Sequence, residues 1–245
     1  MRQRLSFETS AIRCDGNSWT GRHHEDREDR MTVAVRGASV LAAVLDGMGG
    51  LPHARAAAVH AAEAMLRLWD GGAASPQDVL LAGNTALLSK FGENVVGVTA
   101  AVVMLEGVDL RGAWLGDARI AILSAGSGLE ELTKDHTRLA EHTAPRNPSF
   151  EDVRARPELA RRVTRSLGEK PLIRDELPTV SCQVSGSVLL YTDGYWSEEG
   201  LIGRLSGDAP DRPSRPNDDA TLISLVPRPG IQQLAVAGDL IFINV

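Results

Sequence analysis

The chain is poor in the residues that usually announce a special scaffold. Its 245 residues include two cysteines, Cys14 and Cys182. Neither has a partner at CxxC spacing, which excludes a zinc or redox motif of that kind and leaves two free thiols as the expectation. Aromatics are only 4% of the residues, so the core has to be built mainly from Val, Leu, Ile and Ala. No apolar run approaches the roughly 20 residues of a membrane span. The basic start Met1-Arg2-Gln3-Arg4-Leu5 leads into no apolar signal core, so a cytoplasmic protein with no membrane partner is expected. Positive charge is in deficit, with 26 Lys and Arg against 32 Asp and Glu and a net charge of −6. That argues against nucleic acid as a main partner, because binding a phosphate backbone needs a cationic face. The local run Arg154, Arg156, Arg161, Arg162 and Arg165 reads as a solvated helix face. No GxxxxGK[ST] is present, and no HExxH surrounds His53 or His60; neither a phosphate loop nor a zinc hydrolase is supported.

What is present is a repeated ending. Val40 to Leu45 runs into Asp46-Gly47-Met48-Gly49-Gly50, and Val188 to Thr192 runs into Asp193-Gly194. An apolar strand that delivers a carboxylate into a Gly turn can hold a hard cation, with the glycine expected to let the backbone bend and aim a carbonyl at the ion. Two such ends, far apart in sequence, suggest two halves of one domain meeting at a metal site.

Between these ends the pattern predicts a hairpin of Met31–Val35 and Val40–Asp46 turning at Gly37-Ala38. A helix opened by Pro52 follows, with Ala58, Ala61, Ala62, Met65, Leu68 and Trp69 on one face and Gly71-Gly72 as its stop. Ser75-Pro76-Gln77-Asp78 starts a second helix, with Val79, Leu80, Leu87, Leu88 and Phe91 inward. Strands are expected over Gly97–Leu105, Val108–Leu115, Arg119–Ser124, Leu129–Leu132, Val163–Leu167, Val180–Val184, Val188–Thr192, Thr221–Val226 and Leu240–Val245. Residues 137–160 read as a surface excursion with one helical piece and 203–218 as a loop, with a Pro-rich exit over 226–230. Residues 1–30 are polar and show no clear period. Long βαβ alternation is missing, so an antiparallel α+β domain is expected.

Acidic residues stand at the ends of these runs: Glu28-Asp29, Asp46, Asp117, Asp193 and Asp218-Asp219. Oxygen ligands of this type select Mg²⁺ or Mn²⁺ over zinc. Two such ions can share a hydroxide and activate it for in-line attack on phosphorus. Taken singly, each residue could equally be a solvated turn residue or a helix cap; the ordered set is what raises the metal reading.

In this order the chain resembles the metal-dependent Ser/Thr protein phosphatases of type 2C in their bacterial form. The carriers are Glu28-Asp29, Leu45-Asp46-Gly47-Met48-Gly49-Gly50, Gly97-Val98-Thr99-Ala100, Leu115-Gly116-Asp117-Ala118-Arg119, Leu132-Thr133-Lys134-Asp135-His136, Val163 to Gly168, Leu190-Tyr191-Thr192-Asp193-Gly194 and Asp218-Asp219-Ala220-Thr221. They span about 20–226 of a chain expected to be a single catalytic domain over 1–245.

The resemblance implies a four-layer αββα sandwich: two antiparallel sheets flanked by helices, with the metals at one edge. It implies Mn²⁺ or Mg²⁺ as cofactor, in two ions. Asp46 would bridge them, the Gly47 carbonyl would bind one, and Asp193 and Asp218 would complete one ion's shell. Glu28 and Asp29 would hold the other, partly through water, and Asp117 would help bind a third. Arg22 is the nearest candidate for the phosphate-binding arginine that the family places upstream of its Glu-Asp pair, although His24 sits closer to the usual offset. With Asp46 and Asp193, Arg22 completes the catalytic candidates.

The chain departs from the pattern in several places. Arg27 stands where the family usually has Asn. Glu25-Asp26, three residues earlier, is an alternative to Glu28-Asp29, which the distance to Asp46 favours. Ser197, beside Glu198, replaces the acidic residue four positions after Asp193, which weakens a third site. Met48 stands where some relatives carry a His able to protonate the leaving group. His23 and His24 read as a polar loop, His136 as part of the LTKDH turn, and Trp196 as a packed aromatic.

The implied activity is hydrolysis of phosphoserine and phosphothreonine in proteins by a metal-bridged hydroxide. Phosphorylated proteins would be the partners, and a Ser/Thr kinase is expected alongside, although no residue identifies one. The competing readings are a degenerate phosphatase that binds phosphoproteins or partners without turnover, and a metallophosphoesterase acting on small molecules. The retained Asp residues weigh against the first; the sequence separates the second poorly.

Overall fold

The computed structural model describes residues 2–9, 11–22, 26–69, 74–197, 216–228 and 241–244. The expectations that rested on His23, His24, Glu25, Gly71-Gly72, Glu198, most of 203–218 and the end of the 226–230 exit lie outside the described residues.

Two six-stranded antiparallel sheets pack face to face. The first takes β1 (Arg2–Glu8), β2 (Ile12–Trp19), β7 (Arg119–Ser124), β8 (Gly128–Glu131), β10 (Ser187–Tyr191) and β11 (Ala220–Pro227), in the order β1-β2-β11-β10-β7-β8. The second takes β3 (Arg30–Arg36), β4 (Ser39–Gly47), β5 (Val98–Glu106), β6 (Asp109–Leu115), β9 (Thr179–Gln183) and β12 (Ile241–Asn244), in the order β12-β3-β4-β5-β6-β9. Helices α1 (Ala54–Trp69) and α2 (Pro76–Phe91) cover the outer face of the second sheet. The short α6 (Asp193–Trp196) packs on the outer face of the first.

The central strand β4 shows how sequence fixes these layers. Its side chains alternate with a period of two. Leu41, Ala43 and Leu45 face the helices, while Val40, Ala42 and Val44 face the other sheet. Both faces are buried, so the strand reads as a continuous apolar run rather than an alternating one. Each fully buried Leu or Val contributes about 1.5–3 kcal/mol. α1 packs close through Ala57, Ala58, Ala61 and Ala62, all fully buried. α2 starts in a reciprocal capping box, in which Ser75 Oγ accepts from Asp78 N–H at 3.2 Å and Asp78 Oδ2 accepts from Ser75 N–H at 2.9 Å.

Several expectations needed correction. The first 20 residues form two strands despite their polarity, because β1 is an edge strand that buries only Leu5. Pro52 lies in the turn before α1, which opens at Ala54. Leu68 faces outward at 38% exposure, and Leu88 is only half-buried, whereas Phe91 packs against the core as expected. Val163–Leu167 is not a strand; it contributes the isolated bridges Thr137↔Val163 and Val98↔Leu167. The excursion holds three short helices rather than one: α3 (Arg138–Thr143), α4 (Phe150–Ala155) and α5 (Pro157–Ala160).

Candidate active site

The space between the sheets is apolar along most of its length and polar at one end. In β2 the inward positions run Ile12, Cys14 and then Ser18; in β4, Val40, Ala42, Val44 and then Asp46; in β5, Leu105, Val103, Ala101 and then Thr99; in β11, Leu225, Ile223 and then Thr221. Thr192 just after β10 and Asp29 just before β3 continue the same inward parity. Asp46 and Thr99 are paired across β4 and β5, and Ser18 and Thr221 across β2 and β11. The register that buries Val and Ile in the core therefore gathers Ser, Thr and Asp at one rim.

Asp29 is fully buried there. Its Oδ2 accepts from Thr192 Oγ1 at 2.7 Å. Thr192 Oγ1 in turn accepts from Thr221 N–H at 2.9 Å, and Thr221 Oγ1 shares a 2.7 Å hydrogen bond with Ser18 Oγ. Among the described residues, Asp29 Oδ1 has no hydrogen-bond partner. Burial, then repulsion from Asp219, pushes the Asp29 carboxyl up to about 7, against the pull of the neighbouring Thr221 and Thr192 hydroxyls.

Asp219 staples the segment before Asp29. Its Oδ1 accepts from Gly21 N–H at 2.7 Å and its Oδ2 accepts from the Glu28 N–H. Asp218, beside it, is exposed and accepts from Asp219 N–H at 2.8 Å. The two carboxylates of this pair thus divide the work: Asp218 faces out and Asp219 organises backbone. Sequence reasoning singled out Asp218 and missed the roles of Asp219, Thr192 and Thr221. The doubled Asp immediately before a β-branched strand was the available signal.

Asp46 and Asp193 are half-buried at the ends of β4 and β10. Burial pushes both carboxyls well above the usual range. For Asp46 the repelling neighbours are Asp29, Asp193, Asp218 and Asp117; for Asp193 they are Asp117, Asp218 and Asp29. The five carboxylates therefore lie within one another's electrostatic reach. Gly47 and Gly194 follow Asp46 and Asp193, but neither has a positive φ. What they allow is close approach, contrary to the expected bend: a Cβ on Gly47 would overlap the Ala54 carbonyl that opens α1, and one on Gly194 would overlap the Asp219 carbonyl.

Asp117 is 4% exposed. Burial, then Asp135, raises its carboxyl to about 7. It sits above a buried ionic cluster. Arg119 is 3% exposed and grips Asp135 with two hydrogen bonds of 2.9 and 2.7 Å, Glu131 with one of 2.8 Å, and the Pro148 carbonyl with one of 2.9 Å. Burial opposes the Arg119 charge, yet Asp135 and Glu131 hold its pKa above the ordinary arginine value. The Trp196 ring lies 3.7 Å from the guanidinium, and its Nε1–H donates to the Asp117 carbonyl at 3.1 Å. Trp196 is thus a packed aromatic. His136 Nδ1 accepts from Gly116 N–H at 3.0 Å, and burial holds its pKa down at about 4, so the imidazole is neutral and structural.

Arg22 is exposed and its backbone N–H donates to the Pro216 carbonyl at 2.8 Å. Asp26 is exposed and paired with Arg55 at 2.9 Å. Glu28 is half-buried. Ser197 is half-buried beside Asp193, whose carbonyl accepts its N–H at 2.8 Å. Among the described residues, the His, Cys, Asp and Glu side chains form no group of three already arranged around one ion position. The donor chemistry nonetheless suits a hard divalent cation: the rim offers oxygen atoms only, and the buried Asp29 Oδ1 has a lone pair with nothing to meet it.

No curated protein sequence matches the chain. Solved structures with the same architecture do. A bacterial serine phosphatase is 18% identical with a TM-score of 0.74, covering 90% of this chain and 99% of that one. The Staphylococcus aureus serine/threonine phosphatase Stp1 is 15% identical with a TM-score of 0.73, covering 91% and 98%. The catalytic domain of the serine threonine protein phosphatase PstP, in complex with two manganese ions, is 22% identical with a TM-score of 0.64, covering 89% and 98%. Residues 17–144, just over half of the chain and the part that carries Asp29, Asp46 and Asp117, match the family model described as protein phosphatase 2C, and the chain belongs to that family.

Proposed function

We propose that the protein is a divalent-metal-dependent phosphatase that removes phosphate from phosphoserine and phosphothreonine in proteins. The observation that carries this reading is the meeting of Asp29, Asp46, Asp117, Asp193 and Asp218, from five separate chain segments, at the polar rim between the sheets. So many carboxylates repel one another unless a cation sits among them. Asp46, Asp193 and Asp218 with the Gly47 carbonyl, and Glu28 with Asp29, would hold two Mn²⁺ or Mg²⁺ ions, as the manganese and magnesium named for solved relatives suggest. When bound, such ions activate water and neutralise the phosphoryl oxygens.

The chain's own contribution is positioning. Thr192 fixes the Asp29 carboxylate, Asp219 fixes the backbone at Glu28, and the sheet register fixes Asp46. Asp117 would serve a third, weaker position, because Ser197 supplies no carboxylate beside it. Arg22, exposed at the same edge, would attract the phosphate. Met48 cannot hand a proton to the leaving group, so water or another side chain has to supply it.

Rates on a panel of phosphopeptides and on simple phosphate esters, with and without Mn²⁺, test the reading. The expected result is Mn²⁺-dependent release of phosphate, faster from peptides. Binding of phosphopeptides without turnover would replace it with a binding module, and a preference for small esters would replace it with a small-molecule phosphoesterase.

A further inference from the structure

Beside the polar rim a groove of about 600 Å³ follows the outer face of α1. Its near end is formed by Asp26, Glu28 and Ala54, and its far end by His60, Glu63 and Lys90. The near end adjoins the candidate metal centre twice. Glu28 precedes the buried Asp29 and donates its N–H to Asp219, and Ala54 is the residue whose carbonyl lies against Gly47. The floor is made of small and apolar side chains, Leu51, Ala56 and Val59, and Leu51 is 39% exposed. Between Arg55 and Glu63 the helix rises about 12 Å, the span of roughly three to four residues of extended chain.

One wall is preformed. His53 has a left-handed backbone, φ 63°, which is uncommon for a residue with a side chain and carries a local conformational cost. Its ring stacks on Phe91 at 5.8 Å, and His60 meets the same ring edge-on at 6.3 Å. Burial, then Lys90, lowers the His60 pKa. Charges stand at the rim in opposed sets, with Arg55 bonded to Asp26 and Lys90 resting over Phe91 at 5.4 Å. An apolar floor with a stacked ring wall and a balanced rim suits an apolar side chain better than a charged one.

We propose that this groove is a specificity subsite for the substrate peptide, taking an apolar residue two to four positions away from the phosphorylated one. The proposal rests on the phosphoprotein phosphatase reading above. A phosphate held at the rim places the flanking peptide at the groove's mouth, because Glu28 lines the groove next to the buried Asp29. Val59 and Ala56 would then select substrates without touching the reacting phosphate.

The test compares two substrates that differ only in reach. Phosphopeptides with Leu or Ala at each position from −4 to +4 need the groove; p-nitrophenyl phosphate fits at the rim alone. Val59→Arg on the half-exposed face of α1 should fill the floor. Expected are a Leu-over-Ala preference at one position in the wild type, its loss in Val59→Arg with a roughly tenfold fall in kcat/KM arising in KM, and an unchanged rate on p-nitrophenyl phosphate. Val59→Leu should keep the preference, and matched melting curves would exclude misfolding. A Leu preference that survives Val59→Arg, or no preference at any position, would overturn the subsite while leaving the phosphatase reading intact. A wild type inactive on both substrates with Mn²⁺ would overturn the phosphatase reading and the subsite with it.

Discussion

At the residue scale the outcome depends on where each carboxylate is held. Asp46 and Asp193 keep their geometry through strand ends, so replacing either by Asn leaves the fold and removes a charge that a divalent ion needs. Asp46→Asn and Asp193→Asn should each lower Mn²⁺-dependent phosphate release by at least about a hundredfold, as loss of a direct electrostatic contact does; residual activity within tenfold of wild type in both would contradict the assignment. The choice between the two acidic pairs can also be settled by kinetics. Asp29 is buried with an unsatisfied oxygen, whereas Asp26 is exposed and occupied by Arg55. Asp29→Ala should therefore raise the Mn²⁺ concentration needed for half-maximal rate far more than Asp26→Ala. The opposite ranking would move the metal-facing pair three residues upstream.

At the scale of elements, the buried Arg119 joins β7 to the excursion at Pro148, to Glu131 in β8, and through Trp196 to α6. Removing one partner of a buried ion pair leaves the other charge stranded, which costs about 3–5 kcal/mol. Arg119→Met should lose stability of that order in a urea titration, and an effect below about 1 kcal/mol would mean that Asp135 and Glu131 find other partners. This cluster also marks a boundary of what the sequence made legible. Arg119, Asp135 and His136 were visible as members of short strings, but their mutual contacts depend on strands that lie far apart in the chain. The hairpin of β3 and β4, both long helices and the Ser75 capping box were readable because their signals are local. The strands of the first 20 residues were not, since an edge strand with polar residues on its open face has almost no period to read. Asp218 was legible as an acidic end, while its neighbour Asp219 was not distinguishable from it until the Gly21 and Glu28 amides came into place.

For the whole molecule, stability and metal should be tied together through pH. The Asp29 and Asp117 carboxyls lie at about 7 against 3.8 when unfolded, and Asp46 and Asp193 are raised as well. Groups whose pKa is raised by folding bind more protons in the native state, so the stability they confer is full below about pH 4 and is lost as pH rises through 7. In EDTA the melting temperature should fall across that window. Mn²⁺ at a hundred times its dissociation constant should restore about 2.7 kcal/mol at pH 7.5. A melting curve indifferent to both pH and Mn²⁺ would rule out a carboxylate-lined ion site of this kind. The shared register of core and rim has one more consequence, which concerns chain length. Deleting a single residue inside β4 would invert the parity on one side of the cut, so that either Asp46 turns toward α1 or the core residues nearer the hairpin face the wrong layer. Lengthening the exposed turn at Gly37-Ala38 leaves both strands in phase. Descendants of this chain are thus free to vary in the length of their hairpin tips, while the strands that lead to the rim can change length only by even steps.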